Sequence, residues 1–284
     1  MKKEWIFMLS MVIFGTMAPF VRQVSVTSGE LALYRAVLAL LLIGPIQFLG
    51  RQKITGGQLK KALPLLLLSG AAMGFNWLLL FQAYNYTTVS VATLSYYFAP
   101  VLVTVLCPIL FKEKMKPINW LCSGFSTLGI ILLTGLGDPD QGQQHLIGIC
   151  FGLGAAVLYA SVMILNKYIK DVPGLQRTFF QFLAAALVLA PYVLLTDGIT
   201  LGNLDAAGWV CLLILGLVHS GLNYCMYFSS IKSIPGQKAA ILSYLDPLVA
   251  VVISVTILHE SISVLQIIGG TLILGFTLIN ELKS

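Results

Sequence analysis

One stretch of this chain is written twice. Gly74, Asn76, Phe81, Ala92, Tyr97, Pro100, Val105 and Glu113 recur 147 residues later as Gly221, Asn223, Phe228, Ala239, Tyr244, Pro247, Val252 and Glu260. All eight identities fall on one ungapped offset. Apolar coincidences are cheap in a chain that is 58% hydrophobic, so the Asn, Tyr, Pro and Glu matches carry the weight. A duplicated unit with a polar helix and a proline-interrupted helix constrains the fold to two like halves packed around a shared interface. The match extends more weakly to Pro45 and Pro191, at an offset of 146.

Only 10% of the residues are charged, against about 25% in a soluble domain. A single soluble core of 284 residues does not hide that much apolar surface; a bilayer does. Stretches long enough to cross a hydrocarbon layer of about 30 Å lie at 5–21, 31–49, 62–83, 89–111, 117–136, 146–166, 176–195, 207–230, 237–258 and 263–280. The expected fold is therefore an all-α polytopic membrane protein, with ten transmembrane helices forming two inverted five-helix repeats. Residues 1–136 form the first unit and 146–284 the second. The turn-rich, acidic segment 137–145 links them. Five is odd, so the second unit enters from the opposite side. Lys2 and Lys3 ahead of an apolar run resemble a signal peptide. Phe20-Val21-Arg22-Gln23 offers no small-residue cleavage site, however, so the first helix is expected to be retained.

The net charge of +6 suggests a nucleic-acid partner only if its distribution is ignored. Assigning the loops alternately to two sides gathers fifteen of the seventeen Lys and Arg on one side; Arg22 lies opposite and Arg35 lies inside a span. This asymmetry places both termini in the cytoplasm. The expected partners are the lipid bilayer, a small-molecule substrate and protons, with no nucleic acid. Cys107, Cys122, Cys150, Cys211 and Cys225 all fall within spans, are odd in number and form no CxxC pair, so buried thiols are expected.

Asp246 is the sharpest candidate for chemistry. It lies mid-span beside Pro247, and its repeat mate is Ala99, so the duplicated fold does not require an acid there. A carboxylate near the midplane is costly unless it meets water, a partner or a proton. It is expected to couple protons or hold a substrate ammonium; a structural acid bonded to backbone freed by Pro247 is the alternative. Arg35 is poised to bind a carboxylate through its forked guanidinium, or else to snorkel or pair with Glu30. Its counterpart is Gln181. Asn76 and Asn223 are repeat mates that line a substrate path or bridge helices. His219, four residues before Asn223, shares its face and titrates near neutrality, which makes it a second coupling candidate.

Trp77, Tyr97, Tyr159 and Tyr244, with Tyr96 and Tyr224, place amphipathic rings inside spans rather than in interfacial belts. They are expected in a substrate wall, with core packing the plainer alternative. Pro100 and Pro247 interrupt helices at equivalent points and expose backbone carbonyls. Glu113 and Glu260 are expected to be end-of-helix anchors served by nearby lysines such as Lys114 or Lys116. No GxxxxGK[ST] loop, zincin motif or GxSxG elbow occurs, so ATP-driven pumping and these hydrolase chemistries have no support. No metal or cofactor is implied.

Leu94-Ser95-Tyr96-Tyr97-Phe98-Ala99-Pro100 leading to Glu113, and Leu242-Ser243-Tyr244-Leu245-Asp246-Pro247 leading to Glu260, resemble the drug/metabolite transporter superfamily. The likeness is to its ten-helix EamA branch and covers the whole chain. It implies a secondary transporter, not an enzyme, that exports an amino acid, amine or related metabolite by alternating access. A flippase for lipid-linked headgroups on the same fold is the rival reading. A membrane enzyme or scaffold subunit is a more distant one.

Overall fold

In the computed structural model, residues 2–49, 55–111, 116–133, 142–169, 172–196, 198–231 and 233–283 are described. Glu113, Lys114 and residues 137–141 of the linker lie outside them. Among the described residues the chain is helical, crossing the bundle ten times. The unbroken spans are Ser28–Leu49, Gly56–Tyr86, Pro117–Leu133, Gln143–Tyr168, Gly174–Thr196 and Val264–Lys283, in positions two, three, five, six, seven and ten. Span one is divided into Lys2–Gly15 and Met17–Gln23. Span four consists of Val89–Tyr96 and Ala99–Phe111, and span nine of Gly236–Ser243 and Leu245–Thr256. Span eight is α-helical at both ends and π-helical over Ile214–Leu222.

Local chemistry sets several helix starts. Thr55 and Gln58 form a reciprocal capping box at the third span, Thr88 Oγ1 accepts from the Val91 N–H at the fourth, and Asp205 accepts from the Gly208 N–H at 2.7 Å at the eighth. Each supplies an acceptor for an amide donor that has no partner within its own helix.

The third span packs on the sixth and seventh, the second on the seventh and eighth, and the first on the eighth and ninth. The fourth packs on the sixth and ninth, and the fifth on the tenth. Exchanging every helix with the one five positions away maps this set onto itself, so the duplication in sequence is a duplication in space. Small residues permit the close crossings. Gly70 and Gly74 lie against the seventh span; Gly129 and Gly269 face each other where the fifth and tenth cross. One expectation is corrected here. Cys150 is exposed on the sixth span, whereas Cys107 and Cys122 are buried.

Candidate transport site

Three spans break at the same place relative to a proline. The interruptions at Thr16, Tyr97 and Tyr244 each precede a proline by three residues: Pro19, Pro100 and Pro247. The missing proline N–H leaves the carbonyl four residues back unpaired, and the ring crowds it. All three interrupted residues relax to φ between −70° and −82° with ψ within 10° of zero, in the bridge region. The break at Thr16 has no counterpart among the sequence expectations. The two prolines that were expected to interrupt helices sit in the first turn of the half-helix after each break.

The repeat-mate breaks of the fourth and ninth spans meet. Tyr97 donates its hydroxyl proton to Asp246 Oδ2 at 2.5 Å, a short contact of the charge-assisted kind. Tyr96 stacks on Tyr159 of the sixth span at 5.1 Å between ring centroids and meets Tyr97 edge-on at 5.8 Å. Tyr224 of the eighth span packs edge-on against Phe14 and Phe182. Tyr159 retains 37% of its surface although its hydroxyl interacts electrostatically with Tyr224, Tyr227 and Asp246. Tyr97 and Asp246, beside this cluster, are half-buried.

Arg35 enters the same region from the second span. It is 2% exposed, so it does not snorkel. Nor does it pair with Glu30, which accepts from Tyr34 Oη at 2.8 Å, from the Thr200 N–H at 2.7 Å and from the Thr200 hydroxyl. Arg35 Nε donates to Ser220 Oγ at 2.5 Å, and its guanidinium lies 4.6 Å from the Trp77 ring and 5.7 Å from Phe81. Its Nη1 is buried with no hydrogen-bond partner, and no carboxylate lies within 4 Å of it among the described residues. Asp246 is near enough to interact electrostatically but not to form an ion pair. Burying an ion costs several kcal/mol, whereas a cation–π contact returns about 0.5–2 kcal/mol. The charge is left under-compensated.

Other candidates are already engaged in holding helices together. Asn76 Nδ2 donates to the Ala155 carbonyl at 2.6 Å, and Asn223 Nδ2 donates to the Ser10 carbonyl at 3.1 Å. Each therefore bridges the third helix of one half to the first helix of the other. Both are at most 1% exposed. His219 Nε2 meets Thr16 Oγ1 at 3.1 Å, and its Nδ1 meets the Ile214 carbonyl at 3.3 Å. His219 and Asn223 do share a face, which is directed at the first span. Trp77 is buried beneath Arg35, edge-on to Phe182. Tyr244 interacts with Glu281 of the tenth span and stands apart from the tyrosine cluster.

Ser220 and the π-helical segment that carries it were absent from the sequence expectations. Ser220 Oγ also bonds the Leu215 carbonyl, five residues back, within this π-helical segment. A serine beside a histidine in an apolar span was the available signal. Glu260 is the other correction: its ion-pair partner is Arg22, at 2.6 Å, not a nearby lysine.

A ten-span helical bundle with paired broken helices and polar groups at its centre defines the class: a polytopic membrane transporter fold. The EamA-like transporter family profile matches residues 1–135 and again 146–281, so this chain belongs to the EamA-like transporter family. It is 28% identical to an uncharacterized transporter, YxxF, of Bacillus subtilis, over 92% of this chain and 86% of that one. An uncharacterized transporter of Archaeoglobus fulgidus is 27% identical over 95% and 93% of the two chains, and the biotin transporter of Escherichia coli K12 is 24% identical over 87% and 83%. One solved crystal structure superposes with a TM-score of 0.67 at 15% identity, covering 98% of this chain and 96% of its own, which supports the fold.

Proposed function

We propose that this protein is a secondary transporter that exports a small zwitterionic solute, an amino acid or close metabolite, by alternating access of its two halves. One observation carries the reading: an unpaired, buried Arg35 and a Tyr97-bonded Asp246 lie near each other beside a cluster of tyrosines. Each charge lacks a full partner in the protein. A solute with a carboxylate for Arg35 and an ammonium for Asp246 would complete both, with the rings supplying apolar and cation–π contacts. Biotin, named for one relative, also carries a carboxylate. Export follows the resembled branch. Both ring nitrogens of His219 face protein oxygens, so Asp246 is the residue assigned to proton coupling.

Transport into reconstituted vesicles, measured against amino acids and their decarboxylated and N-acylated analogues, tests this. Intact amino acids are expected to be carried and both analogue classes to fail. Arg35→Lys should lower transport by about tenfold or more, because an ammonium does not reproduce the fork. Equal transport of the decarboxylated amine would sink the assignment of Arg35. The proposed orientation puts both termini in the cytoplasm and the 137–145 linker outside. With single cysteines at positions 3, 141 and 284 in a cysteine-free background, an impermeant reagent should label only position 141 in intact cells; labelling at 3 or 284 instead would reverse the topology.

A further inference from the structure

Arg22, the basic residue that the charge split leaves alone on its side, joins a network at the end of the bundle away from the termini. Its Nη2 lies 2.6 Å from Glu260 Oε1 and donates to the Thr87 carbonyl at 3.3 Å. Glu260 Oε2 accepts from the Val89 N–H at 2.7 Å and from Ser254 Oγ at 2.5 Å. His259, with φ of 52°, turns the chain immediately before this carboxylate; that left-handed conformation is uncommon outside glycine. Thr87 Oγ1 in turn meets His145 Nδ1 at 2.8 Å. One ion pair thus ties the ends of the first and ninth spans to the start of the fourth, and the network reaches the sixth. These four spans carry the broken helices and the tyrosine cluster. A recess of about 440 Å³ adjoins the network, lined by Arg22, Thr87, His145 and Glu260 among others.

Asp246 lies ten helical residues before Thr256, about 15 Å along the ninth span. The ion pair therefore stands at one end of the bundle, away from Asp246 and the tyrosine cluster. We propose that Arg22 and Glu260 form a latch that holds this end of the bundle shut, and that its release opens the tyrosine cluster and Asp246 to the side away from the termini. The inference rests on the alternating-access reading above and adds the residues that set its equilibrium. Glu260 suits the role because it satisfies three donors at once, from three different spans. Removing its charge weakens all three contacts together.

The test uses the full chain, cysteine-free apart from a Tyr159→Cys reporter, in intact cells and without solute. An impermeant maleimide is applied from outside. Glu260→Gln and Arg22→Gln are each expected to raise the labelling rate about three- to tenfold, the range expected for losing one partly exposed ion pair with charged hydrogen bonds. In a separate protein that keeps Tyr159 and is cysteine-free apart from Arg22→Cys and Glu260→Cys, joining these two cysteines with a short cleavable bismaleimide should suppress transport in vesicles, and cleavage should restore it. Unchanged labelling in both charge-neutral variants overturns the latch, as does a cross-linked protein that still transports. A purely structural role would lower yield in the membrane without changing the rate per inserted molecule. A reporter that reacts from neither side in any variant overturns the alternating-access reading and the latch with it. Because labelling needs no solute, a wrong substrate class leaves the labelling result untouched.

Discussion

Asp246→Asn is expected to reach the membrane at near wild-type yield and to lose transport by about ten- to a hundredfold. The yield follows from the repeat: Ala99 occupies the equivalent position in the first half, so the break before Pro247 forms without an acid. The loss follows from the geometry. Asn keeps the shape and still accepts from the Tyr97 hydroxyl, now 2.5 Å from Oδ2, but offers neither a negative charge nor a titratable proton. Hydrogen bonds to charged groups are worth about 1.5–3 kcal/mol against about 0.5–1.5 for neutral ones, and 1.4 kcal/mol is a factor of ten. Two assays separate the possible roles. A residue that binds the solute's ammonium loses both net transport and solute exchange; a residue that only couples protons loses net transport and keeps exchange. Wild-type rates in both assays would reduce Asp246 to a structural acid. Tyr97→Phe, which removes the donor and leaves the charge, should act in the same direction with a smaller effect.

Gly70→Val is expected to abolish the folded protein. A Cβ at position 70 would lie 2.4 Å from the Gln181 carbonyl oxygen and 2.6 Å from the Ala184 Cβ, and the closest of these atoms belongs to backbone that a side-chain rotation does not move. The third and seventh spans would have to separate. Their separation would strain the bond from Gln181 Nε2 to Ser69 Oγ at 2.8 Å, leaving a buried amide and hydroxyl to search for partners in an apolar medium. Overpacking alone costs about 1–3 kcal/mol, and the stranded polar groups add to it. Gly124→Val is the control, because nothing lies within 4 Å of a Cβ there and the residue is exposed. The measurement is the monodisperse fraction after detergent extraction, together with its thermal midpoint. A Gly70→Val protein as stable as the control would mean that the two helices do not cross this closely.

Much of the architecture was legible in the residues themselves. Whether a segment enters a bilayer depends on its own transfer free energy and length, and which way it faces depends on where the Lys and Arg lie, so the spans can be read along the chain. The offset of 147 declared two like halves, and Pro100 and Pro247 marked the breaks to within three residues, since a proline disrupts its own preceding turn wherever it sits. Gly70 and Gly74, four residues apart, have the small-residue spacing of a close helix crossing, which leaves open against which helix. Candidate residue types were legible too: an acid, an arginine, two amides and several tyrosines inside apolar spans are costly enough to need a reason.

What the tertiary structure decided is how each of these polar groups is used. Asn76 and Asn223 looked as suited to a path as to a bridge, and both turned out to donate across the halves to Ala155 and Ser10. Arg35 had a plausible mate five residues away in Glu30, yet Glu30 is taken by Tyr34 and Thr200, while Arg35 reaches Ser220 and leaves Nη1 unmatched. Arg22 and Glu260, 238 residues apart, carried no mutual signal in a linear reading. Such pairings depend on the rotation of each helix about its axis and on its register against neighbours from the other half. Those variables are set by the packing of many apolar residues at once. No single residue or local period encodes them.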